Sequence, residues 1–147
     1  MKKQCKIAII DCGIDIETYK RFYYRTTFLV VKNGNVIELD KDYIQNNLSH
    51  GSLCLSYFEK SSQTVIDYYL MLENDVDKRC NVNDLVVALK WCLDSKILVI
   101  SLSMGTTQHY DSSIFNTIMK RINETNTFLI ASAKNDRQLT FPACLVI

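Results

Sequence analysis

Asp11 and His50 are a carboxylate and an imidazole placed where they could move a proton together. Asp11 closes a short apolar run near the amino terminus, and His50 lies within Ser49-His50-Gly51-Ser52. A buried aspartate that keeps one imidazole nitrogen protonated leaves the other nitrogen free to accept a proton, as in a charge relay. The sequence therefore predicts Asp11 as the orienting carboxylate, His50 as the general base, and a hydrogen bond between them.

The apolar pattern predicts the elements that would carry these two side chains. Residues 6–10 are a short β-branched run, which is typical of a strand buried on both faces of a parallel sheet. Asp11 would lie at the carboxyl end of this strand. A helical pattern begins at Ser49. Its predicted buried face consists of Leu53, Cys54, Tyr57 and Phe58.

The rest of the chain alternates between strand and helix patterns. Strands are predicted at 64–72, 97–104 and 127–133. One helix is predicted after an Asn83 N-cap, and another after Ser112 or Ser113. Their predicted buried residues are Leu85, Val86, Leu89, Cys92 and Leu93, and then Ile114, Phe115, Ile118, Met119 and Ile122. The alternation predicts an α/β fold with a doubly wound, mainly parallel sheet flanked by helices.

A β-hairpin is predicted at residues 27–39. Two apolar runs flank Asn33-Gly34, a dipeptide that favours a tight turn between antiparallel strands. We expect this hairpin to be an excursion from the main sheet.

Length and composition limit the classes of function. The 147 residues are 48% hydrophobic, enough for one domain spanning 1–147, and the net charge of +1 includes no basic stripe for nucleic acid or a membrane surface. We find no signal peptide and no membrane span. Six cysteines without a CxxC pair indicate reduced thiols, with no metal site and no cofactor. These features predict a cytoplasmic protein, and none of them indicates an oligomeric state.

Polar residues follow two of the later predicted strands. Ligands of parallel α/β sheets bind beyond the carboxyl ends of the strands. Ser103-Met104-Gly105 could pair its backbone with an extended peptide in this region, and the Asn135 amide could donate to a developing oxyanion. The predicted site therefore consists of Asp11, His50 and Asn135 with a peptide-binding edge at 103–105.

In this order the motifs resemble those of the subtilisin-like serine peptidases. The matching segments are Ile9-Ile10-Asp11-Cys12-Gly13-Ile14, His50-Gly51-Ser52, Ile100-Ser101-Leu102-Ser103-Met104-Gly105, Ala131-Ser132-Ala133-Lys134-Asn135-Asp136 and Phe141-Pro142-Ala143. The resemblance implies peptide-bond hydrolysis by an Asp-His-Ser relay, with a peptide or protein as substrate. It also implies that Asn135 contributes to the oxyanion hole and that 103–105 lines the substrate cleft.

The chain departs from that family in two ways. No serine matches the family's nucleophile, which lies in a Gly-Thr-Ser-Met-like helix start after the Pro-Ala motif, and Lys134 replaces the usual glycine before Asn135. We therefore expect a peptidase domain truncated at its carboxyl end, whose isolated 147 residues do not hydrolyse peptides.

Two other interpretations remain open. One is a catalytically inactive relative that binds a peptide or protein through 103–105. The other treats Asp11-Cys12-Gly13 as a phosphate loop with Mg²⁺ on Asp11, although the sequence offers no convincing second acidic ligand and no Gly-rich phosphate cradle.

Overall fold

The computed structural model describes residues 5–61, 65–73, 79–106, 108, 111–133 and 139–145. Within these ranges six strands form one sheet in the order β4-β3-β6-β1-β7-β8, and all neighbours are parallel except β3 and β4. The strands are β1 (Ile7–Asp11), β2 (Ile14–Asp15), β3 (Thr27–Lys32), β4 (Asn35–Glu38), β5 (Ile44–Gln45), β6 (Tyr68–Leu72), β7 (Val99–Leu102) and β8 (Phe128–Ala131). The helices are α1 (Ile16–Phe22), α2 (His50–Ser61), α3 (Val82–Asp94) and α4 (Ser112–Asn123). The predicted α/β class with a mainly parallel sheet is confirmed.

β1 lies at the centre of the sheet and is buried along its whole length. Its side chains alternate between two apolar clusters in the described part of the chain, as strand geometry requires. Ala8 and Ile10 pack with residues of α3 and α4, whereas Ile7 and Ile9 join a cluster that includes Leu55 of α2. Helices on both faces explain why this strand is continuously apolar.

The hairpin at 27–39 is present, but it is not an excursion from the main sheet. β3 pairs with β4 across Asn33-Gly34, and both turn residues have positive φ. β3 also pairs in parallel with β6, which makes the hairpin one end of the sheet. The physical reason is that Phe28, Val30 and Val31 are buried, in clusters on opposite faces of the sheet.

Several predicted helix starts differ from the structure. Asn81, rather than Asn83, caps α3, because its side-chain oxygen accepts from the Asn83 N–H at 2.8 Å. α4 follows Asp111 rather than a serine cap. Phe115, Ile118, Met119 and Ile122 are buried as predicted, but Ile114 is exposed. Among the described residues, the predicted strands cover only 68–72, 99–102 and 128–131, and Thr64 lies outside the described residues.

The buried face of α2 was predicted only in part, because Cys54 and Phe58 are half-buried and Phe58 packs against the cluster that includes Leu55. Leu53 and Tyr57 are exposed, and the buried residues are Gly51, Ser52 and Leu55. Two small residues let the first turn of α2 lie directly against the sheet, and this close approach determines which side of the helix faces inward.

Neither α1 nor the short β2–β5 pairing was predicted from the sequence. α1 begins at an Asp15 N-cap, whose carboxylate accepts from the Thr18 N–H at 2.9 Å. Burial raises the pKa of Asp15, but hydrogen bonds to Ser52 and Thr18 outweigh it, so the pKa is lowered overall. No helix in the described ranges is long and apolar enough to cross a membrane.

Gly51 allows α2 to approach the end of β1. A Cβ at Gly51 would lie 1.7 Å from the Tyr69 hydroxyl oxygen and 2.6 Å from the Gly13 carbonyl oxygen. The Tyr69 hydroxyl donates to that same carbonyl at 2.6 Å. Gly13 itself has a φ of +71°, which a residue with a side chain rarely adopts. These three residues join the loop after β1 to the first turn of α2.

We expect Gly51→Ala to lower the free energy of unfolding by about 1–3 kcal/mol, because the new methyl group displaces Tyr69. Tyr69→Phe alone should also destabilise the fold, since the Gly13 carbonyl loses its donor. Chemical denaturation of both single variants and the double variant measures the coupling. The double variant should lose less free energy of unfolding than the two single variants together, because the Tyr69 hydroxyl that meets the new methyl group is gone. Strict additivity would contradict this packing.

Candidate active site

Asp11 is 1% exposed at the carboxyl end of β1, in a well-defined set of hydrogen bonds. Its Oδ1 accepts from the Cys12 N–H at 2.7 Å, and its Oδ2 accepts from the Ser103 hydroxyl. Both carboxylate oxygens lie 3.0 Å from His50 Nδ1. The predicted contact between Asp11 and His50 is therefore present, although their Cα atoms belong to different elements 39 positions apart.

His50 is the first residue of α2, and its side chain is 59% exposed. When Nδ1 carries the proton and donates it to the Asp11 carboxylate in a hydrogen bond, Nε2 is the nitrogen that can accept a proton. This arrangement places a buried carboxylate behind an exposed imidazole. It is the geometry that a charge relay requires of its aspartate and histidine.

Ser103 immediately follows β7, the neighbour of β1, and its hydroxyl donates to Asp11 Oδ2. The sequence placed Ser103 at a peptide-binding edge and did not anticipate this hydrogen bond. Parallel neighbours bring their carboxyl ends together, which explains the contact between residues 92 positions apart. The Ser103 side chain therefore helps to hold the Asp11 carboxylate.

Met104 and Gly105 continue from Ser103 toward the surface. Met104 is half-buried against the cluster below α3 and α4, and Gly105 is exposed. A Cβ at Gly105 would lie 2.5 Å from the Phe141 carbonyl oxygen, so only glycine lets the segment 139–145 pack this closely. Thr106 and Phe141 form two backbone hydrogen bonds, at 2.9 and 2.8 Å. The Phe141-Pro142-Ala143 motif therefore packs against the end of the predicted edge, at Gly105 and Thr106.

Asn135 and Lys134 lie outside the described residues. β8, the strand that precedes them, ends at Ala131 beside β7, where the Ser132 N–H donates to the Leu102 carbonyl at 2.9 Å. The oxyanion role of Asn135 stays a prediction.

Cys54 belongs to this cluster and was missed as a site residue. Its Sγ lies 3.7 Å from His50 Nδ1, and burial raises the pKa of its thiol to about 12, with the hydrogen bond to Asp11 acting in the same direction. Residues i and i+4 of a helix share a face, so the spacing from His50 was a usable signal. Cys54 was instead interpreted as a packing residue, because its neighbours in the helical pattern are apolar.

Comparisons with known proteins give a structural likeness only. No protein-family model matches the chain, and no curated protein matches it. The fold is similar to a solved structure described as "Structure of Prenylagaramide maturation protease PagA", with a TM-score of 0.62 and 15% sequence identity. The match covers 97% of this chain and 51% of that one, so the chain spans about half the length of that protease. The fold is therefore one that a protease also has.

The raised pKa of Cys54 predicts a thiol that resists alkylation. At pH 8 we expect iodoacetamide to modify the exposed Cys5 and Cys144 while Cys54 stays unmodified, because the thiolate is the reactive form. Peptide mass spectrometry of the native and denatured chain measures this difference. Cys54 should react as fast as Cys144 only after denaturation. Equal rates in the native chain would contradict the burial described above.

Proposed function

We propose that this chain is part of a serine endopeptidase of the subtilisin type. Asp11 orients His50, His50 is the general base, and Asn135 contributes to the oxyanion hole. The nucleophilic serine belongs to polypeptide outside these 147 residues. The observation that carries the proposal is the pair of 3.0 Å separations between His50 Nδ1 and the buried Asp11 carboxylate.

The proposed reaction follows from the tautomer that Asp11 favours. With the proton on Nδ1, His50 Nε2 takes the proton of the serine hydroxyl as the serine oxygen attacks the peptide carbonyl. Asp11 stays ionised and stabilises the imidazolium that forms. His50 then gives the proton to the leaving amine, and the amide of Asn135 donates to the oxyanion. Water completes hydrolysis of the acyl-enzyme by the same route.

An uncovered sheet face supports the proposal that further polypeptide completes the domain. Phe128 and Ile130 of β8 pair with Val99 and Ser101 of β7, which in turn pair with Ile7 and Ile9 of β1. Paired residues of parallel strands point to the same side, so all of these face the α2 side of the sheet. Ile7 and Ile9 are buried there, but Phe128 and Ile130 are 67% and 61% exposed.

This uncovered face is the place where we expect the serine-bearing segment to pack. β8 pairs only with β7 among the described strands, so its other edge can accept a further strand. A helix after that strand would cover Phe128 and Ile130 on the side where His50 lies. Such a segment would remove two large apolar side chains from water and bring its first turn near His50 Nε2.

Binding of a peptide or protein without catalysis is the second candidate. The specific observation in its favour is that the hydroxyl of Ser103, a serine of one of the matched motifs, donates to Asp11 and so serves its carboxylate. Gly105 is exposed and could present backbone to an extended peptide. The peptidase function requires a further polypeptide that restores hydrolysis, whereas the binding function does not.

We expect the 147-residue chain alone to be inactive toward peptides and toward a serine-directed fluorophosphonate probe. Adding the polypeptide encoded after codon 147 should restore both peptide hydrolysis and labelling by the probe. The probe should label a single serine, in a Gly-Thr-Ser-like segment. Asp11→Asn should then lower kcat by roughly 10⁴-fold, because the imidazole loses its correct tautomer. Asp94→Asn, at an exposed ion pair with Arg121, is the matched control and should leave kcat unchanged.

Two results would contradict this function. Labelling of a serine within the 147 residues would show that the relay was assigned to the wrong nucleophile. A stop codon directly after Ile147 in the native transcript, with no labelled partner polypeptide, would favour the non-catalytic binding function.

The uncovered face gives a separate prediction. Replacing Phe128 and Ile130 together by serine should weaken binding of the serine-bearing polypeptide by roughly 100-fold. The reason is that the variant buries much less apolar surface on binding. The free chain should unfold at nearly the same denaturant concentration, because both side chains are already exposed. Tyr24→Ser, at a residue 70% exposed near the end of α1, is the control. Binding that responds equally to both changes would rule out β8 as the docking face.

A further inference from the structure

Three metal-binding side chains converge where the relay begins. Asp11, His50 and Cys54 each present one ligand atom, and these atoms all lie within 4.8 Å of one another. Asp11 comes from the end of β1, whereas His50 and Cys54 are one helical turn apart at the start of α2. The relay function needs only Asp11 and His50, which leaves the position of Cys54 unexplained.

The spacing of the ligand atoms fits a tetrahedral centre. A zinc ion bound at usual lengths holds nitrogen and oxygen ligands about 3.3 Å apart and nitrogen and sulfur ligands about 3.6 Å apart. The observed separations are 3.0 Å from His50 Nδ1 to the Asp11 oxygens and 3.7 Å from His50 Nδ1 to Cys54 Sγ. These two separations therefore differ from the zinc values by only a few tenths of an ångström, and the separation between Asp11 and Cys54 lies within 4.8 Å.

The second layer of contacts already orients the carboxylate. The Cys12 N–H and the Ser103 hydroxyl donate to different oxygens of Asp11, and such outer contacts strengthen a metal site by fixing its ligands. His50 is largely exposed, so water can supply a fourth ligand. One imidazole, one thiolate and one carboxylate form a set typical of zinc, whereas Mg²⁺ prefers oxygen ligands alone.

We propose that Asp11, His50 and Cys54 form a Zn²⁺ site that is mutually exclusive with the charge relay. The ion takes the place of the proton on His50 Nδ1 and of the Cys54 thiol proton, and both protons pass to solvent. The imidazole can then no longer donate to Asp11, so its use as the relay base is blocked. This regulatory consequence rests on the proposed function, but zinc binding itself does not.

Zinc binding can be measured on the 147-residue chain without any peptidase assay. We expect one Zn²⁺ per chain in competition with a chromophoric chelator, and a thiolate-to-metal absorption band when Co²⁺ is used instead. Cys54→Ser and His50→Ala should each weaken Zn²⁺ binding by at least about 10- to 100-fold, the loss that even an outer-contact change typically causes. His50→Ala alters an exposed side chain, so it tests the site even where a change at Cys54 impairs folding.

Cys144→Ser and His109→Ala are the matched controls, since each removes the same type of ligand elsewhere in the sequence. Both should bind Zn²⁺ like the unaltered chain. Equal losses in the controls, or unchanged binding in Cys54→Ser and His50→Ala, would overturn the site.

The link to the relay has its own measurement. Nitrogen-15 spectra of the imidazole should show loss of the Nδ1 proton on addition of Zn²⁺ and its return with chelator. Zinc bound at one equivalent with the Nδ1 proton retained would contradict mutual exclusion. Zinc binding by the 147-residue chain, together with no hydrolysis by any longer polypeptide freed of zinc with a chelator, would instead refute the peptidase function and leave the metal site standing.

Discussion

The close approach of α2 to the end of β1 is the constraint on which the site depends. It is possible because Gly51 has no side chain, so the Tyr69 hydroxyl and the Gly13 carbonyl occupy the space that a Cβ would fill. Burial, and then the nearby charge of Asp11, raise the pKa of Tyr69 well above its usual value, so its hydroxyl keeps the proton that it donates to Gly13. With α2 held there, His50 lies beside Asp11.

The Asp11 carboxylate is the second organising feature, because a buried charge is stable only when its oxygens are hydrogen-bonded. The backbone of Cys12, the Ser103 hydroxyl and His50 all serve this one group. The proposed relay and the proposed zinc site both use this carboxylate. The two proposals differ in whether a proton or a metal ion lies between Asp11 and His50.

The sheet is covered unevenly, and this connects the fold to the proposed function. On the α2 side, Ile7 and Ile9 of β1 are buried, while Phe128 and Ile130 of β8 are exposed, and so are Leu53 and Tyr57 of α2 itself. Of the four residues of α2 that the periodicity assigned to the core, Leu53 and Tyr57 thus face water, whereas Cys54 and Phe58 are half-buried. Packing of further polypeptide against both surfaces would reconcile the sequence pattern with the observed exposure.

The sequence by itself determined the α/β class and the succession of the main strands along the chain, and the order of its motifs predicted the contact of Asp11 with His50. These depend on local patterns: β-branched runs specify buried strands, and strand ends in a parallel sheet meet at one edge. Only the tertiary structure decided that the 27–39 hairpin joins the sheet, that Ser103 supports Asp11, and that Cys54 faces His50. Each of these contacts depends on how separate elements pack together. On α2 the small residues Gly51 and Ser52 face inward, whereas Leu53 and Tyr57, which hydrophobicity alone favoured, face water.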